Sequence, residues 1–279
     1  MIEAYAFLTA FTVQVLVVSV LHPAWFISYA RAKAEAQLPD WDRKSRERFL
    51  ILYRAANAGI AVLGLVLLGW LFDYLRSPVW DVGTVTHLLT GYIVMQILPF
   101  VLVSLIGAWV KRRALTRSPA DAKRTASLQR RGLFDFVSPL TVVLAVVGYF
   151  LFAAFMLHIQ QHPYPGFYGY RLLRAVTLVY ALNAFLAYWL LYRRKRWPLE
   201  TSAYRIQALG VQVKIGFYTS IAVTVLSSLR VTLALLNMQR WLPFAMSVYF
   251  VLIMLFTSMM LFALRRQAEV DRLDPSPVT

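Results

Sequence analysis

Residues Phe136–Ile159 read FVSPLTVVLAVVGYFLFAAFMLHI, a run without a single Lys, Arg, Asp or Glu. A helix needs about 20 apolar residues, rising 1.5 Å each, to cross roughly 30 Å of hydrocarbon. This run is long enough, and it lacks the short alternating pattern of a barrel strand. In lipid each backbone N–H and C=O must be bonded within its own segment, which selects a helix. Six further runs of the same kind occur at Ala4–Tyr29, Phe49–Leu71, Leu88–Val110, Leu172–Tyr192, Ile215–Leu236 and Leu242–Leu264. The sequence therefore predicts an all-α integral membrane protein, a seven-transmembrane-helix bundle. The longest interval between runs, Lys111–Asp135, is too short to hold a folded soluble domain. One bundle over residues 1–264 with a short tail at 265–279 is the expected organisation.

The 279-residue chain is 59% apolar and 15% charged, against about 45–50% and 25% for soluble domains. Its net charge of +16 is not spread evenly. Of 29 Lys and Arg, all but Arg76, Arg171, Arg174, Arg230 and Arg240 fall in alternate intervals, within the inner edge of a span, or in the tail. Positive charge marks cytoplasmic segments. The N-terminus is thus expected outside and the C-terminus in the cytoplasm, in a membrane expected to be the bacterial cytoplasmic (inner) membrane. Topology accounts for the charge, so nucleic acid is not an expected partner. Membrane lipids are, and the basic cytoplasmic loops (Arg112, Arg113 and Arg124 among them) offer a dock for a protein partner. The first run carries no positive charge ahead of it and reads as a retained anchor, not a cleaved signal. Without Cys, disulfides and thiolate ligands are excluded.

The outside-in order of seven helices is similar to that of rhodopsins and receptor-type seven-helix proteins. That resemblance covers topology alone. No Lys lies inside the last span, so a retinal Schiff base is excluded. No Asp or Glu occupies the middle of any span either, which disfavours coupling through a buried carboxylate.

Polar residues at depth are the remaining signal. Gln14, Gln96 and Asn183 lie near the middle of the first, third and fifth spans. They suit either interhelical hydrogen bonds or the lining of a polar interior. Ser220, Thr224, Ser227 and Ser228 recur at spacings of four, three and four, one helical face. Ser247 and Ser258 share a face of the last span. Toward the predicted outer ends lie Asp73, Arg171, Arg174 and Arg230, where basic residues oppose the orientation rule and point to an anion or a lipid-like ligand. His87, His158 and His162 fall at the same level. His158 and His162 are four apart, a spacing that allows metal ligation with a third ligand from another helix. No cofactor is expected; a transition metal or haem at this outer face is the alternative. The segment Gln160–Tyr170, with its Pro, Gly and aromatics, fits an interfacial belt or a lid.

These features predict a membrane-embedded sensor, regulatory or assembly subunit with an outward-facing pocket. The alternatives are a transporter or channel for a small or lipid-like solute, and an intramembrane enzyme with an Arg/His/Asp or metal site at the outer face. The balance leans away from an enzyme.

Overall fold

The computed structural model describes residues 2–37, 43–77, 80–117, 132–161, 170–193 and 202–273. Every regular element among them is helical. The order is α1 (Ile2–Leu16), a π-helical turn (Val17–Leu21), α2 (His22–Gln37), α3 (Arg43–Tyr74), α4 (Val82–Arg117), α5 (Pro139–Gln161), α6 (Tyr170–Tyr188) with a π-helical end (Trp189–Arg193), α7 (Ser202–Leu235) and α8 (Leu242–Leu273). Among the described residues seven segments are long and apolar enough to cross a membrane: Ile2–Arg31, Glu47–Tyr74, Val82–Val103, Pro139–Gln161, Tyr170–Leu191, Leu209–Leu235 and Gln239–Met260. Each matches one predicted span.

The chain groups into two compact units, one of Met1–Arg117 with Gln239–Thr279, the other of Ser118–Met238. In the first, α1 and α2 pack along α8, α1 also meets α3, and α4 meets both α3 and α8. Its core joins Phe7, Phe11, Val15, Leu71, Leu89 and Tyr92. Edge contacts between aromatic rings (Phe11 with Tyr92 at 5.3 Å, Phe26 with Phe100 at 5.5 Å) tie the helices together. In the second, α5 and α6 both pack on α7. One cluster there comprises Phe152, Met156, Ile159, Val176 and Val231. A second gathers Phe136, Val137 and Val213.

Helix ends explain where the predicted spans shift. The third span was expected from Leu88, but α4 starts at Val82. The Asp81 carboxylate accepts from the backbone N–H of Gly83 (3.1 Å) and Thr84 (2.6 Å) and from the Thr84 hydroxyl (2.7 Å), a cap that initiates the helix early. The fourth span was expected from Phe136, but α5 starts at Pro139, the residue type suited to a first helical turn. Ser138 Oγ accepts from Thr141 N–H there. α7 ends in a Schellman turn: Asn237 adopts φ 56°, with Met238 N–H bonded to Leu233 C=O at 2.8 Å and Asn237 N–H to Ala234 C=O. α4 runs on through Pro99 to Arg117, so the helix extends past the point where its apolar run stops. The first span is one rod interrupted by its π turn, a feature with no counterpart in the apolar pattern.

Candidate functional site

The two carboxamides of the first unit meet. Gln14 Nε2 donates to Gln96 Oε1 at 2.8 Å, and Gln96 Nε2 donates to Ser19 Oγ at 3.0 Å. Ser19 lies 3.5 Å from the Tyr92 hydroxyl, which donates to the Ile60 carbonyl at 3.1 Å. With Tyr92 spending its proton on Ile60, Ser19 is the donor in their contact. The chain thus runs in one direction from α1 through α4 and the π turn to α3. Gln14, Gln96 and Ser19 are all buried, and no carboxylate takes part. Gln14 Oε1 and the Ser247 hydroxyl are buried without a hydrogen-bond partner among the described residues. Gly64 gives Tyr92 room to reach Ile60, since a Cβ there would collide with the Tyr92 hydroxyl and come within 2.8 Å of Val15 Cγ2.

Asn183 belongs to a separate network in the second unit. Its Nδ2 donates to Gly216 C=O at 3.1 Å and to Ser220 Oγ at 2.9 Å, joining α6 to α7. Tyr180 donates to Ala145 C=O and lies 2.9 Å from Thr224 Oγ1. Ser220, Thr224 and Ser227 are buried. The hydroxyl face expected of this helix is its packed face.

A groove of about 360 Å³ lies between α1 and α8, lined by Ala6, Ala10, Val13, Phe244 and Val248 among others. A larger one of about 710 Å³ lies in the second unit. It is lined by Tyr170, Leu173, Arg174, Thr177, Leu178 and Ala181 of α6 and by Tyr149 of α5. The α6 residues recur at three- and four-residue spacings and so share a face. Tyr149 and Thr177 hydroxyls are 2.9 Å apart, and Thr177 donates to Leu173 C=O at 2.8 Å. The groove therefore places one guanidinium, two phenols and a threonine hydroxyl above an apolar wall.

Of the residues singled out in the sequence, Arg174 lines this groove, as does Tyr170 at the end of the aromatic segment. Arg171 is exposed at the start of α6 and Arg230 is exposed on α7. No ion pair to Arg171, Arg174 or Arg230 is formed among the described residues. Asp73 is exposed near the end of α3. His87 is exposed on α4, with Nδ1 2.7 Å from Gly83 C=O. His158 is exposed on α5. Asp73 and His87 belong to the first unit, Arg171, Arg174, Arg230 and His158 to the second. No three His, Asp or Glu side chains form a metal-binding group among the described residues. His162 and most of the Gln160–Tyr170 segment lie outside the described residues, as do the side chains of Arg112, Arg113 and Arg124.

Ser19, Tyr92, Tyr149 and Thr177 were not singled out beforehand. Thr177 was within reach, since Tyr170, Arg174, Thr177 and Ala181 fall on one helical face. Tyr149 carried no signal, being a lone hydroxyl in the middle of an apolar run. Outside the spans, the Asp81 carboxyl is held below the usual carboxylate range. The Thr84 hydroxyl contributes most, then the N–H groups of Thr84 and Gly83, with desolvation opposing slightly and His87 helping. The sequence matches no family model, and neither a curated protein nor a solved structure aligns with it significantly.

Proposed function

We propose that this is an integral membrane protein of the bacterial cytoplasmic membrane, N-terminus outside and C-terminus in the cytoplasm, that binds an anionic amphiphile and acts as a sensor, regulatory or assembly subunit. Membrane insertion is supported by the seven apolar helices and by apolar side chains that face outward, such as Leu178 at 70% and Phe150 at 65% exposure. In water such a surface would drive aggregation. Orientation rests on the alternation of basic intervals.

The observation that carries the ligand is the α5–α6 groove. Arg174 is a fixed cation at the predicted outer end of α6, where the orientation rule disfavours one. An anionic headgroup satisfies it, and guanidinium suits a phosphate. Leu173, Leu178 and Ala181 continue below it as a wall for an alkyl chain. Gln14, Gln96 and Asn183 give hydrogen bonds to neighbouring helices, which supports a binding role over a solute path through the interior. In this reading the basic cytoplasmic segments dock a protein partner.

The test is lipid retention by protein purified from membranes of phosphatidylglycerol mixed with phosphatidylcholine, read by native mass spectrometry. The wild type retains the anionic lipid preferentially. Arg174→Gln loses about tenfold in that preference, the scale of one charge-assisted hydrogen bond. Undiminished preference in Arg174→Gln would remove the reading.

A further inference from the structure

We infer that the ligand of the α5–α6 groove is a single-chain phosphate amphiphile carrying a free hydroxyl next to its phosphate-bearing carbon, the chemistry of a lysophospholipid; this rests on the amphiphile-binding reading above. Three features lead there, and the first is the direction of the hydrogen bonds. Thr177 has one proton and gives it to Leu173 C=O. Its contact with Tyr149 is therefore made by the Tyr149 proton. Both protons are spent inside the protein, and what the Tyr149–Thr177 pair still offers a ligand is lone pairs. Arg174 offers donors and no acceptor. A matching ligand brings acceptor oxygens to Arg174 and a donor to Tyr149.

Spacing is the second feature. Thr177 follows Arg174 by three residues, about 4.5 Å along the helix at 1.5 Å per residue. Arg174 is nearer the start of α6, so the donor lies on the chain side of the phosphate. In a two-chain phospholipid the groups there are esters, which only accept. A free hydroxyl on the neighbouring glycerol carbon lies on that side and donates. A headgroup amine or hydroxyl lies on the other side of the phosphate and does not reach.

Room is the third. The open groove of about 710 Å³ has space for an alkyl chain. Leu173, Leu178 and Ala181 line the path of that chain, and the exposed Tyr170 flanks the mouth.

The experiment compares two probes on the full chain in nanodiscs: 1-oleoyl-2-hydroxy-glycero-3-phosphate and its 2-methoxy analogue, which keeps the oxygen and loses the proton. The hydroxy lipid binds roughly tenfold tighter to the wild type, the worth of one good hydrogen bond. In Tyr149→Phe with Thr177→Val the two probes bind alike, because the hydroxy lipid weakens to the level of the methoxy one. Arg174→Gln weakens both. Equal binding of the two probes to the wild type overturns the hydroxyl assignment and leaves the anionic groove standing. Unchanged binding of both to Arg174→Gln overturns the groove itself. The wild-type comparison needs no variant, so a poorly folding double variant does not shelter the proposal.

Discussion

Two single residues fix geometry out of proportion to their size. Gly64 sits inside α3, where replacing glycine by alanine ordinarily adds about 1 kcal/mol of helix stability. Here the added methyl meets the Tyr92 ring and its hydroxyl. The hydroxyl must then leave the Ile60 carbonyl, and overpacking of this kind costs about 1–3 kcal/mol. Gly64→Ala is expected to lower the unfolding midpoint in detergent, and to do so less in a Tyr92→Leu background. Equal losses in both backgrounds would show that the ring is not what the methyl meets. Asp81 acts at the surface through its cap. Its carboxyl is held below the unfolded value of about 3.9. The stabilisation is therefore present well above the unfolded value and is lost as pH falls through the lowered folded value. Thermal melts of Asp81→Ala should lie below wild type at pH 7, with the gap narrowing as pH falls below the unfolded value. A gap that stays the same at every acid pH would mean the carboxylate is not its source.

Elements are joined by bonds that their own sequences do not announce. The Gln14–Gln96–Ser19–Tyr92 chain links α1, the π turn, α4 and α3. Removing Gln96 leaves Gln14 and Ser19 short of a partner inside a packed unit, which costs about 1–3 kcal/mol. Gln96→Leu and Gln14→Leu should therefore each destabilise the protein. In a double-mutant cycle they should couple by about 0.6–1.7 kcal/mol, the range for polar pairs between membrane helices. Additive losses would place the stabilisation elsewhere. The π turn at Val17–Leu21 carries Ser19 into this chain. Such π turns inside α-helices are frequent at functional sites.

Among the described residues seven helices are long and apolar enough to cross a membrane, and the basic intervals propose their direction. Reporters fused after Thr279 and after the segment containing Arg124 should be active in the cytoplasm, and one placed in the Gln160–Tyr170 segment active outside. A periplasmic signal from the C-terminal fusion would invert the topology and carry Arg174 to the inner face. Much of this scale was legible beforehand. All seven long apolar helices were legible, because a run of about twenty apolar residues is recognised by length and composition alone. Of the groove residues, Arg174 is legible in sequence because Arg stands out in intervals poor in basic charge, and Tyr170 because it ends the aromatic segment. Tyr149 is not, since nothing in an apolar run tells which residue faces a neighbour.

The sequence by itself determined the helical class, the number of helices long and apolar enough to cross a membrane and the position of each polar residue along its helix, because these depend on local composition and on a fixed rise per residue. Tertiary structure decided which polar residues meet. It brought Gln14 to Gln96 and Ser19, and Asn183 to Ser220, although the first pair is 82 positions apart and the last 37. It also set Tyr149 against Thr177 beside Arg174. Depth along a helix follows from counting, whereas rotation about the helix axis and the choice of neighbour are fixed only when side chains pack.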